Sequence, residues 1–261
     1  MSKLIAVCGG PDSGKTTVAL KMAQEIYREK KGNTVIFLSP DLETPALGFL
    51  FPNGKDQELH SIGKALDKTD IFKEDVMKQF VNVKTMLNFA FLGFKLGENK
   101  YSYPQPTEDK INQLFSVLRD TAEYIVVDCT SDEDDLISRI AKRDCDVAVQ
   151  LFNPDIRCMV YYASCVNQFI SIEDRKIRVM NIMDADLYLP IDETKELFGA
   201  VDFTVPYSRP LKQQTITGEL SEKLDDSAYR KVMKDLATAV MNFGKAEVKP
   251  PETEVTSGEG N

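Results

Sequence analysis

The 261-residue chain has no tryptophan, a single histidine (His60) and only five cysteines. One imidazole leaves little room for a His-based metal centre or a Ser-His-Asp triad. No two cysteines have metal-ligand spacing, and Cys8, Cys145, Cys158 and Cys165 stand in apolar surroundings, the pattern of reduced core thiols. Long apolar runs are missing as well: none approaches the roughly 18 residues that span a bilayer. Met1, Ser2 and Lys3 lead directly into the apolar residues 4–8 and a glycine turn, without the h-region or cleavage site of a secretory leader. Positive charge is scarce, with 32 Lys+Arg against 41 Asp+Glu and a net charge of −9. Neither backbone-driven nucleic-acid binding nor adhesion to anionic lipid is expected from that balance. The expected location is the cytoplasm.

What is present is enough apolar material, 43% of residues, for a sizeable core. Residues 3–8 read as a buried strand, 16–30 as a helix with Val18, Met22 and Ile26 on one stripe, and 34–38 as a second, β-branched strand. That succession has the size of a right-handed strand–helix–strand unit. Prolines at 40, 45 and 52 mark residues 40–60 as loop, with helices over 61–68 and 71–80. Residues 83–94, rich in Phe, read as one strand, and Thr107 opens a helix with a capping pattern. Further short apolar runs at 124–128, 147–152, 177–181 and 201–205 are each separated by a helix-length segment, and a last helix covers 227–243. Apolar strands alternating with helices predict an α/β, three-layer fold with a mostly parallel sheet and helices on both faces. The domain is expected over residues 1–244, followed by a disordered acidic tail, 245–261, rich in Glu, Pro, Gly, Ser and Thr.

Between the first strand and the first helix lies Gly9-Gly10-Pro11-Asp12-Ser13-Gly14-Lys15-Thr16, a match to G-x-x-x-x-G-K-[ST]. Glycines allow main-chain N–H groups to wrap a phosphate, and a helix start adds the positive end of its dipole. Lys15 supplies charge to β- and γ-phosphates, Thr16 can ligate Mg²⁺, and Thr17 can reach the α-phosphate. Such a loop needs acidic partners on neighbouring strands. Asp41 follows the second strand and Asp128 ends the strand at 124–128, so both belong at the carboxyl edge of the sheet, where ligands bind in such folds. Spacing does not say which of the two orients water and which supports the metal.

With these residues in view, the sequence resembles the ParA/MinD family of P-loop ATPases, from the N-terminus to about residue 220. The likeness rests on the P-loop, on Phe37-Leu38-Ser39-Pro40-Asp41, on Val126-Val127-Asp128-Cys129, and on residues 151–155, 179–181 and 205–207. The resemblance implies a P-loop NTPase fold, ATP and Mg²⁺ as cofactors, and a face-to-face homodimer resolved by hydrolysis or by a partner. It implies further that Asp41 orients the attacking water and that Asp41 and Asp128 belong with Thr16 to the metal side. Asn181 would contact the adenine, and Pro206 and Tyr207 would pack on the base. Two positions depart from the pattern. Gly10 stands where many members carry a second lysine that reaches the partner's nucleotide, with Lys95, Lys100 or Lys212 as substitutes to weigh. Ser39 stands where many have Asp. A TadZ/CpaE-like branch, which positions pilus and secretion machinery, shares such changes. The resemblance implies a protein partner in a secretion, pilus, conjugation or partition system, with recruitment to a membrane-associated complex as one option.

Other readings stay open. Asn181-Ile182-Met183-Asp184 nearly spells the guanine motif N-K-x-D, so GTP remains an alternative. A small-molecule kinase would need an Arg-rich lid, which the sequence lacks, and a scaffold that binds without hydrolysing is compatible with Gly10. Residues 94–103 could present a partner surface. The acidic run 131–135 reads as a solvated helix start, and the last helix as packed on the domain rather than on lipid.

Overall fold

The structure, a computed structural model, describes residues 2–29, 32–52, 59–185 and 190–245. The expected tail therefore lies outside the described residues, apart from Lys245.

The chain opens with strand β1 (Lys3–Gly9), helix α1 (Lys15–Glu29) and strand β2 (Val35–Ser39). Short helices α2 (Ala46–Leu50), α3 (Gly63–Leu66) and α4 (Lys73–Met77) follow, then strands β3 (Val81–Val83) and β4 (Met86–Gly93). From there helix and strand alternate: α5 (Glu108–Arg119), β5 (Tyr124–Asp128), α6 (Leu136–Asp144), β6 (Val147–Phe152) and α7 (Ile156–Ser164). A 3₁₀ segment (Val166–Arg175) leads into β7 (Lys176–Asn181), α8 (Ile191–Phe198), β8 (Phe203–Val205), α9 (Arg209–Thr217) and α10 (Ser227–Asn242).

The strands form one sheet in the order β3-β4-β2-β5-β1-β6-β7-β8, parallel except for the β3–β4 hairpin at one edge. β1 runs centrally between β5 and β6, pairing Val7 with Asp128 on one side and Gly9 with Leu151 on the other. The chain leaves β1 toward both halves of the sheet, which makes its carboxyl end a topological switch point. Alternation along β1 divides the core. Ile5 and Val7 pack with α1 and α10 on one face, and Leu4, Ala6 and Cys8 with α5 and α6 on the other. Five helices have a local reason to begin where they do: Thr107, Asp135, Asp155, Ser208 and Asp226 all accept a backbone N–H in the first turn of the helix they precede.

Two expected elements differ. Residues 40–60 are not wholly loop: Ala46, Leu47 and Leu50, between Pro45 and Pro52, form α2 and bury that stripe against the core. The strand expected over 83–94 is a hairpin with an irregular register at Asn82 and Val83, because Lys84 and Thr85 turn the chain between β3 and β4. α10 buries Tyr229, Met233, Leu236 and Val240 on the domain, so its apolar side is already covered. Cys165 is only half-buried, unlike the other four free cysteines. Among the described residues no helix is long and apolar enough to cross a membrane.

Candidate functional site

The loop between β1 and α1 sits at the carboxyl edge, over the switch point. Asp12 (φ 56°) and Gly14 (φ 82°) both adopt left-handed backbone, which curls the segment over the start of α1. At Gly14 nothing larger fits: a Cβ would run into the Asn181 amide. Struts from other strands hold the curl in place. Asn181, at the end of β7, donates to the Ser13 carbonyl at 2.9 Å, and Asn153, just after β6, donates to the Asp12 carbonyl at 3.2 Å. Ser131, in the loop after β5, donates to the Gly9 carbonyl at 3.0 Å.

Lys15 is folded onto this frame. Its ammonium donates to the Gly10 carbonyl and to Ser131 Oγ, each at 2.7 Å. Burial lowers the Lys15 pKa, and the Asp128 carboxylate opposes that shift. Asp128 is buried at the end of β5, where its Oδ2 accepts from Ser39 at 3.1 Å. Desolvation pushes the Asp128 pKa up to about 6; Thr16, Lys15 and Ser39 pull it down and Asp41 pushes it further up. Its other oxygen, Oδ1, has no hydrogen-bond partner, and neither do Ser13 Oγ and Asn153 Oδ1. Three buried oxygens with unused capacity around one loop carry a desolvation cost that a cation or bound water would offset. The donor set fits Mg²⁺: a hydroxyl at Thr16 and a hard carboxylate oxygen at Asp128. Lys15, the helix start and the loop amides fit a polyphosphate.

Asp41 lies at the same edge but is otherwise engaged. Its Oδ1 accepts the amides of Glu43 (2.8 Å) and Thr44 (2.9 Å), forming a turn after β2. Ser39, where related sequences were expected to carry Asp, is the residue that meets Asp128. Pro206 and Tyr207 follow β8, next to Asn181 in register, and are half-buried at the expected edge. The Asn181 amide serves the loop in this structure. Arg157 stands beside the loop, 3.8 Å from Asp12, while Lys100 lies over the ring of Tyr101. In the 94–103 stretch Phe94 is core, and the exposed apolar side chains are Leu96 and Tyr101.

Sequence reasoning missed Ser131, Asn153 and Tyr161. The last packs its ring on Gly10, where a Cβ would come within 3.1 Å of Tyr161 Cδ1. A signal existed for Asn153: like Asp128 and Asn181, it is a polar residue where a buried strand ends at the carboxyl edge. Ser131 and Tyr161 stand 116 and 151 positions from Lys15 and Gly10 and left no local pattern.

This architecture is the P-loop NTPase fold in the form that MinD and ParA ATPases share. The chain is similar to the MinD cell division protein of Aquifex aeolicus (17% identity, TM-score 0.66, 92% of this chain and 98% of that one). It is similar also to a ParA family ATPase from Chlorobium tepidum (13%, TM-score 0.70, 91% and 98%). A third solved structure, the septum site-determining protein MinD of Pyrococcus horikoshii in complex with Mg-ADP, matches at 17% identity and TM-score 0.68, over 92% and 96% of the two chains. No family model and no curated protein matches the sequence.

Proposed function

We propose that the chain is a Mg·ATP-dependent switch ATPase of ParA/MinD type, whose nucleotide state controls self-association and so times or positions a larger assembly. The observation that carries this reading is the pairing of Lys15 and the curled loop with an orphaned Asp128 oxygen at the switch point. The MinD fold neighbour that holds Mg-ADP, and a plasmid partition protein from Borrelia burgdorferi bound to AMPPNP, support the choice of ligand. A MinC:MinD complex among the neighbours supports a protein partner, here assigned to a secretion, pilus or partition system of the cytoplasm. The deficit of positive charge supports neither DNA nor lipid as that partner.

In this reading the amides of residues 9–14 and the start of α1 cradle the phosphates, and Lys15 leaves Gly10 and Ser131 to meet them. Thr16 and Asp128 would hold the metal, which would supply positive charge to the phosphates. Asn181, with Pro206 and Tyr207, forms the base side. Asp41 orients water only after its carboxylate leaves the Glu43 and Thr44 amides, which makes hydrolysis slow.

That same turn, and the absence of a lysine at position 10, favour one alternative: a nucleotide-binding scaffold with little hydrolysis. Mass by light scattering with ADP, ATP and a slowly hydrolysed analogue decides. A switch becomes a dimer with ATP and its analogue only, and Asp41→Ala makes the ATP dimer persistent. A scaffold keeps one mass with and without that substitution. Lys15→Ala is expected to weaken uptake by about a thousandfold, on the order of 4 kcal/mol.

A further inference from the structure

Lys15 has two acceptors in this structure, the Gly10 carbonyl and the Ser131 hydroxyl. Both residues touch the same third side chain. The ring of Tyr161, on α7, lies against Gly10, and its hydroxyl stands 3.4 Å from the Ser131 carbonyl oxygen. The hydroxyl stands equally near a second acceptor, Gln168 Oε1 in the 3₁₀ segment, at 3.3 Å. A phenol carries one proton, so it serves one of these two oxygens at a time. Gln168 is itself wired onward: its Oε1 accepts from the buried Lys142 and its amide donates to Glu133 in the acidic run after β5.

We propose that Tyr161 is a positioning residue that reads whether Lys15 is held by the loop or drawn away by a nucleotide, and passes that state through Gln168 to the 3₁₀ segment. The inference rests on the nucleotide reading above and adds a transmission route to it. Withdrawal of Lys15 takes a charge-assisted bond from Ser131, frees the Gly10 carbonyl, and so changes both surfaces against which Tyr161 is packed. The receiving element suits the task. Ten residues of 3₁₀ helix are long for a form with poor hydrogen-bond geometry, so the segment can be rearranged at less cost than an α-helix. Val166 and Ile170 on its exposed side, at 59% and 67%, place the outcome on the molecular surface. Gly10 is part of the device: any side chain there would push the ring aside.

Hydrogen exchange on the full chain, with Mg²⁺ and a non-hydrolysable ATP analogue, tests the route. In the wild type, nucleotide is expected to change exchange at both 131–135 and 166–175 by at least about threefold. Tyr161→Phe keeps the ring on Gly10 but lacks the proton. It is expected to bind the analogue within about twofold of wild type, to retain the response at 131–135, and to lose it at 166–175. Gln168→Leu, which removes the acceptor from the far side, is expected to do the same. A full response at 166–175 in both variants overturns the proposal, as does a wild type that binds nucleotide without any change there. A wild type that takes up no nucleotide overturns the functional reading first, and this inference with it.

Discussion

The two ends of β1 are built on opposite terms. At its amino end the polar groups are closed off. Lys3 donates to the carbonyls of Val240, Met241 and Phe243, capping the C-terminal turn of α10. The Leu4 amide donates to Asp146, which also holds Arg119 at 2.8 Å. At its carboxyl end Asp12 takes a left-handed backbone, Lys15 is folded back on its own loop, and the oxygens of Ser13, Asp128 and Asn153 lack partners. One end is optimised for itself and the other for something to be added. Local strain and unmet bonding at one edge persist because the rest of the sheet determines the structure.

Removing the charge at the two ends should therefore have opposite signs. The largest effect is expected at Asp128. Its folded pKa, about 6, lies above the ordinary value of 3.8, so the folded chain favours the protonated form. The stability this contributes is complete below pH 4 and is lost as the pH rises through 6. In metal-free buffer, urea unfolding should find Asp128→Asn more stable than wild type by up to about 3 kcal/mol at neutral pH, with the gap closing at acid pH. The same variant should lose its response to Mg²⁺. At the other end, Lys3→Met removes the donor of three carbonyls and should cost about 2 kcal/mol in the same assay. Calorimetry should find its nucleotide affinity unchanged. A smaller effect sharpens the boundary: Ser39→Ala removes the hydroxyl that Asp128 retains, costing about 1 kcal/mol. It should raise the Asp128 pKa further, as read by carboxyl titration in NMR.

The open end was also the more legible one in the sequence, up to a limit. Gly9 to Thr16 and the run ending at Asp128 are local signals, with the physics written into consecutive residues. The parallel α/β layering followed from apolar runs at helix-length intervals. α2 was hidden because Pro45 and Pro52 masked the spacing of Ala46, Leu47 and Leu50. The β3–β4 turn was hidden because Lys84 and Thr85 carry no glycine or proline. The struts were legible in position but not in role. Asn153 and Asn181 stand where strands end, but their hold on the loop exists only once the sheet sets β6 beside β1 and β7 beyond it, and Tyr161 matters only because residue 10 has no side chain.

That dependence on distant strands bears on when in folding the loop becomes complete. The Ser131–Gly9 bond joins residues 122 positions apart, and the Asn181–Ser13 bond joins residues 168 apart. Closing such long segments belongs to the late, entropically expensive part of folding. A nascent chain that has emerged only as far as β5 would already hold every residue of the glycine motif, yet it would lack the supports that Asn153 and Asn181 give. Ligand capture would then mark completion of the sheet, and a bound nucleotide would act as a clasp that favours the finished molecule over its partly assembled precursors.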